Sequence, residues 1–321
     1  MVNLQIKGKR LVNLALAMVK VARPVHWTKN ISIFAALLFT QTLFIPVYYQ
    51  TVIVAFIAFC FATSSTYIFN DILDAEKDRL HPIKKNRPIA SGTLPKNIAL
   101  LEAIILACLA ISIADIINPL FLMATIGYIV LQILYSLILK NISVIDILII
   151  ASGFVLRVYA GTFAINAHLS VWFLLCVVSA SLFLAAGKRR SELNVTSDTK
   201  NLTRKSLAKY PRELLNSYVT MFANASWMSW ALFTFFESPK TNLRAWLFLA
   251  EISKATTISK LLMVTIPVVI FGIMRYESLI FEEKSEAPEK LLLTDIPLIA
   301  SVLLWATMTV WILYGGISAT Y

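Results

Sequence analysis

Between Tyr67 and Asp78 the sequence reads Tyr-Ile-Phe-Asn-Asp-Ile-Leu-Asp-Ala-Glu-Lys-Asp. On a helix Asn70 and Asp74 stand four apart, Asp71 and Asp74 three, and Asp74 and Asp78 four, so all can share one face. Carboxylates stacked at that spacing repel one another. A position at the C-terminal end of a helix worsens this through the macrodipole, and desolvation near a membrane surface worsens it again. Something cationic must compensate. Hard oxygen ligands on a few carboxylates, with room left for substrate phosphates, describe a Mg²⁺ site held by Asn70, Asp71, Asp74 and Asp78. The competing reading is a solvated acidic turn neutralised by Lys77 and Arg79.

A second cluster has the opposite sign: Gly187-Lys188-Arg189-Arg190-Ser191-Glu192-Leu193, followed by Arg204, Lys205 and Tyr210. Basic side chains bind phosphate directly, and Arg does so through two parallel hydrogen bonds. Taken alone, such cations at a cytoplasmic helix end also satisfy the dipole and the positive-inside rule without any ligand. Together the two clusters suit a substrate carrying a diphosphate at one end and a phosphate at the other. Further charges lie inside apolar runs. Asp146 and Arg157 are separated by about 16 Å of helix axis at neighbouring azimuths, too far for direct pairing. They should face a bundle interior, either ordering substrate beside Tyr135 and Lys140 or joining helices in a structural network. Lys84 and Arg87 follow the aspartates and either contact a pyrophosphate or balance the acidic patch. Arg23, His26, Trp27 and Lys29 precede the first span. Interfacial anchoring explains them, or else Lys29, with Arg23, meets a lipid phosphate.

The elements that must position these groups are helices in lipid. Of 321 residues, 58% are apolar or aromatic and 15% are charged. A soluble domain has about 45–50% and about 25%. A soluble enzyme, a disordered chain and a disulfide scaffold are thereby excluded. The net charge of +11 gathers beside the apolar runs, which points to an anionic membrane surface and anionic substrates rather than nucleic acid. Cys60, Cys108 and Cys176 lie in apolar runs without metal-ligand spacing and read as small hydrophobes. Apolar runs predict an all-α, polytopic transmembrane bundle with about nine spans at 31–50, 51–72, 98–117, 119–139, 143–165, 168–187, 213–236, 256–274 and 292–315. The Leu11–Val21 run reads as a surface-lying amphipathic helix, against a cleaved signal peptide, and an interfacial piece is expected at Ala245–Ala250. Lys and Arg crowd the segments before span one, after span two and after span six. The N-terminus and both charged clusters are therefore expected to face the cytoplasm.

Asn70-Asp71-x-x-Asp74-x-x-x-Asp78 resembles the first aspartate motif of the UbiA-type prenyltransferase superfamily. That resemblance implies a nine-helix bundle whose motif holds Mg²⁺ against a substrate diphosphate at the cytoplasmic mouth. Ordinary members carry a second acidic motif after span six, where this chain has Lys188, Arg189 and Arg190. The sequence is similar there to the decaprenyl-phosphate phosphoribosyltransferase branch. Arg23-Pro24-x-x-Trp27-x-Lys29-Asn30, His81-Pro82-x-Lys84-x-x-Arg87-Pro88-Ile89-Ala90-Ser91-Gly92, Tyr135-Ser136-Leu137-x-Leu139-Lys140, and Asp146 with Arg157 also match. Residues 216–321 carry no such motif.

The resemblance implies a single membrane transferase domain over 1–321, with an N-terminal cytoplasmic or interfacial segment at 1–29 and the bundle at 30–321. It implies transfer of 5-phosphoribose from phosphoribosyl pyrophosphate to a polyprenyl phosphate, with Asp71, Asp74, Asp78, Lys29 and Lys140 in the chemistry. Asn70, Lys84, Arg87, Tyr135, Asp146, Arg157, Lys188, Arg189, Arg190 and Arg204 are then the substrate ligands. The expected location is the inner or cytoplasmic membrane, with the oligomeric state left open, a homo-oligomer included. Two rivals remain. An ordinary prenyltransferase shares the acidic motif but leaves the basic cluster unexplained. A transporter is suggested by the intramembrane charges, although the chain has only nine glycines to break its helices.

Overall fold

The computed structural model describes residues 2–81, 84–196, 210–237, 260–282 and 294–315. They form helices α1 (Val2–Ala22), α2 (Ala35–Phe39), α3 (Pro46–Leu80), α4 (Lys96–Ile117), α5 (Pro119–Leu137), α6 (Ile145–Ala164), α7 (Val171–Thr196), α8 (Arg212–Phe236), α9 (Ile266–Phe281) and α10 (Ile296–Tyr314). Stretches of 3-10 helix occupy Pro24–Phe34, Lys84–Asn86, Leu139–Asn141 and Leu261–Thr265. Seven helical stretches among the described residues are long and apolar enough to cross a membrane. The helix α8 is not one of them, because Asn216, Ser217, Thr220, Asn224, Ser226 and Ser229 punctuate it. The all-α expectation holds. The interfacial piece at 245–250 lies outside the described residues.

The first two spans differ from the expectation. No continuous helix covers 31–50: the 3-10 segment and α2 end at Phe39, turns follow, and α3 begins at Pro46 and runs 35 residues to Leu80. Two local features explain the break. Gln41 adopts φ 58°, a left-handed conformation that terminates a helix, and Pro46 takes the first-turn position where its missing N–H is harmless. At about 1.5 Å per residue α3 is some 50 Å long, more than the hydrocarbon core requires. Its acidic end is therefore carried on the same rigid rod as its apolar body.

Two compact units divide the chain. The first comprises 1–36, 45–149 and 156–167, and in it α3 packs along α4 and against α5, α1 and the 3-10 segment. Ala17 and Val21 of α1 join Ile68, Ala75, Ile89, Leu94, Ala99 and Ala103 in one buried cluster, so this helix is packed against its own chain. The second unit comprises 37–44, 150–155 and 168–321. There α7 lies along α8, and α9 packs on both α8 and α10. A Cβ at Gly187 would stand 2.6 Å from Ile280 Cδ1 and 3.3 Å from the Tyr276 ring, so glycine lets α9 close on α7 just before the basic cluster.

Candidate active site

The last three turns of α3 carry the acidic face as the spacing predicts. Asp71 and Asp78 are buried, while Asn70 and Asp74 are half-buried. The neutralising cations are not the sequence neighbours Lys77 and Arg79. Arg79 instead turns its Nε to the Ala90 carbonyl, at 3.1 Å. The partners come from three other places. Arg23 Nη2 donates to both Asp71 oxygens at 2.5 and 2.8 Å. Arg87 Nη1 donates to Asp71 Oδ1 at 3.0 Å and Asp78 Oδ2 at 2.6 Å. Lys140 Nζ donates to both Asp74 oxygens at 2.8 Å and to Asn70 Oδ1 at 3.1 Å.

Each cation is delivered by a constrained piece of backbone. Arg23 sits at φ 52°, ψ 60°, a left-handed conformation uncommon for a side chain of its size, between α1 and the 3-10 segment. Its guanidinium also lies 5.1 Å from the centroid of the Tyr67 ring. Arg87 leaves the short 3-10 turn after α3, which the buried Ile89 and Leu94 pin to the core. Lys140, itself buried, sits in the 3-10 turn between α5 and α6. That turn closes at Val144 with φ 70° and ψ −47°, close to the strained γ-turn geometry. His81, beside the cluster, is held below its ordinary pKa by partial burial and then by the Lys84 charge, so its imidazole is neutral at pH 7.

The donor atoms around the aspartates are all oxygens, grouped as two pairs. Asp71 and Asp78 converge on one nitrogen of Arg87, and Asn70 and Asp74 converge on Lys140 Nζ. Among the described residues no group of three or more His, Cys, Asp or Glu side chains forms a metal cage on its own. An oxygen-only, incomplete shell fits Mg²⁺ that takes its remaining ligands from phosphate and water.

The other expected site residues are divided between the two units. Asp146 is fully buried in the first turn of α6, where a carboxylate is favoured by the helix dipole. Arg157 is buried eleven residues on, its Nε 2.8 Å from Asn30 Oδ1 and its Nη2 2.7 Å from the Tyr128 hydroxyl. Lys29, Lys84 and Tyr135 are half-buried in the same unit. In the second unit Arg189 is completely buried and bonded to Glu192 at 2.5 Å. Arg190 donates to Asn216 Oδ1 at 2.6 Å and lies over the Phe281 ring at 5.4 Å, with Lys188 half-buried beside it. Arg204 lies outside the described residues. Sequence reading missed Asn30 and Tyr128 as partners of Arg157; an Asn and a Tyr in apolar surroundings were the available signal.

Comparison with known proteins identifies relatives of this chain. Residues 30–250 match the UbiA prenyltransferase family. The chain is 36% identical over 312 residues to a decaprenyl-phosphate phosphoribosyltransferase of Corynebacterium glutamicum, covering 94% of this chain and 88% of that protein. It is 39% identical over 227 residues to the protein of the same name from Mycolicibacterium smegmatis, covering 70% and 71%. Among solved structures, a UbiA homologue from Archaeoglobus fulgidus bound to GPP and Mg²⁺ superposes with a TM-score of 0.65 at 18% identity, over 92% of this chain and 97% of that one. The helical architecture, the acidic end of α3 and the extent of these matches converge: this integral membrane chain belongs to the UbiA prenyltransferase family.

Proposed function

We propose that the protein transfers 5-phosphoribose from phosphoribosyl pyrophosphate to a polyprenyl phosphate, yielding polyprenyl-phosphoryl-5-phosphoribose and pyrophosphate. The observation that carries this reading is the presence in one chain of an acidic stretch near the end of α3, with Asp71, Asp74 and Asp78, and of a basic stretch in α7, with Lys188, Arg189 and Arg190. Relatives named decaprenyl-phosphate phosphoribosyltransferase over most of their length support it. The family name alone also suits transfer of a prenyl group from its diphosphate, but that reaction leaves the basic cluster without a role.

In this reading Asn70, Asp71, Asp74 and Asp78 hold Mg²⁺, which when bound offsets charge on the departing pyrophosphate. Arg23, Arg87 and Lys140, now on carboxylates, can exchange those oxygens for phosphate oxygens and hold the leaving group. The bond between the anomeric carbon and the pyrophosphate oxygen breaks, and its electron pair leaves with pyrophosphate. Positive charge develops on the ribose ring, and an anionic oxygen of the lipid phosphate forms the new carbon–oxygen bond. That oxygen is already ionised, so the step requires no strong general base. Lys29 is assigned to the lipid phosphate. The donor's 5-phosphate is assigned to Lys188, Arg189, Arg190 and Arg204, and Lys84 and Tyr135 are assigned to substrate binding. Catalysis comes mainly from positioning and from electrostatic stabilisation. The active site opens to the cytoplasm, the side on which membrane proteins gather Lys and Arg.

The reading is tested by supplying donor labelled in the ribose ring to purified protein with Mg²⁺ and polyprenyl phosphate. Label is expected in the organic phase as an acid-labile lipid. Label remaining wholly in the aqueous phase would overturn the assignment.

A further inference from the structure

The 3-10 segment Pro24–Phe34 is eleven residues long. Such helices rarely persist beyond three or four residues, because their hydrogen bonds are poorly aligned. Something outside the segment must hold it. With three residues per turn, Trp27, Asn30 and Ile33 share one face. Each is fastened to a neighbouring helix. Trp27 Nε1 donates to Ser64 Oγ at 2.9 Å, and Ser64 Oγ donates on to the Ala22 carbonyl at 2.8 Å. Asn30 is fully buried, accepting from Arg157 Nε at 2.8 Å and Thr63 Oγ1 at 3.3 Å and donating to Cys60 Sγ at 3.4 Å. Ile33 is fully buried, and a Cβ on Gly161 would stand 2.0 Å from its carbonyl oxygen. Arg157 and Gly161 are one turn apart on α6, so this helix grips the segment at two points.

The segment begins at Arg23, whose guanidinium reaches Asp71. We propose that Arg157 and Asn30 are positioning residues: their buried hydrogen bond locks the 3-10 segment and thereby fixes Arg23 on the aspartate motif. Arg157 is held in that position by the Tyr128 hydroxyl at 2.7 Å and by the Tyr128 ring, 4.9 Å away. The guanidinium is thus engaged inside the protein, and its effect on the reaction passes through Arg23. The catalytic part of this inference rests on the function proposed above; the structural part does not.

Two measurements test it. Hydrogen–deuterium exchange over residues 24–34 is expected to accelerate about tenfold or more in Arg157→Leu, because the segment opens locally once its clamp is gone. In Asn30→Asp, which keeps the acceptor oxygens, exchange is expected to stay near wild type. Unchanged exchange in Arg157→Leu would overturn the proposal whether or not the chain is a phosphoribosyltransferase. For turnover, Arg157→Leu is expected to lower kcat about tenfold or more in the wild-type background, as misplacement of a catalytic group does. The same change is expected to cost less than twofold when Arg23→Ala is already present. Equal losses in both backgrounds would place Arg157 on substrate directly and overturn the proposal, as would no loss in either. If Arg157→Leu does not fold, Asn30→Ser leaves room for water around the buried guanidinium and carries both comparisons with the same outcomes.

Discussion

Asp71 receives two guanidinium groups, and Lys140 spans Asn70 and Asp74. Asp71 and Lys140 are themselves buried, so the pairs are asymmetric in energy: the intact pair adds little, whereas removing the partner strands the buried member. Lys140→Met is therefore expected to destabilise the first unit by about 3–5 kcal/mol, read as a fall in the melting temperature of detergent-solubilised protein. Asp74→Asn keeps the shape and the hydrogen bond to Lys140. It is expected to retain the helical circular dichroism while turnover falls by about 10²-fold or more. Arg190→Lys keeps the charge but loses the fork that reaches Asn216 and the stacking on Phe281. A rise of about fivefold or more in KM for the phosphoribosyl donor is expected, with KM for the lipid unchanged. The shared face of Asn70, Asp71, Asp74 and Asp78 is legible in the sequence, because helical periodicity alone stacks them. The identity of the compensating cations is not. Local charge favours Lys77 and Arg79, whereas Arg23 is 48 residues away and Lys140 is 66, and only tertiary packing brings them in.

Helix ends do the positioning, and they fail in specific ways when altered. Asn118 caps α5 by accepting from the Phe121 N–H at 2.8 Å and also donates to the Phe163 carbonyl at the end of α6, at 2.8 Å. Asn118→Ala is expected to cost about 1–2 kcal/mol, measured by thermal unfolding, through the lost cap and the stranded carbonyl. At the start of α10, Asp295 accepts from the Leu298 N–H at 3.0 Å and pairs with Arg275 at 2.7 Å. The hydrogen bond from Arg275 holds its carboxyl below the usual carboxylate range. A lowered folded-state pKa means stability that is present above the unfolded value of about 3.9 and lost as pH falls through the folded one. The melting temperatures of wild type and Asp295→Asn are thus expected to differ at pH 6 and to converge only as pH falls below the usual carboxylate range. Most helices are readable from apolar length, from 98–117 through 292–315. The boundary at 31–50 is not, since apolar residues continue across Gln41 and Pro46 while the backbone turns there. Hydropathy reports the solvent of a segment, not its dihedral angles.

For the whole chain, the net charge of +11 and an apolar share of 58% describe a basic helical bundle in a membrane. That much follows from composition, and the family follows from the match across residues 30–250. Composition cannot separate a phosphoribosyl donor from a prenyl diphosphate, since both present a diphosphate to the aspartates. In the proposed function the basic cluster at Lys188, Arg189 and Arg190 separates them. Its test is pyrophosphate release by purified protein in Mg²⁺, with phosphoribosyl pyrophosphate and a prenyl diphosphate offered in separate reactions beside polyprenyl phosphate and an aromatic acceptor. Release is expected from phosphoribosyl pyrophosphate alone and only when polyprenyl phosphate is present; release from the prenyl diphosphate, with none from phosphoribosyl pyrophosphate, would contradict the account.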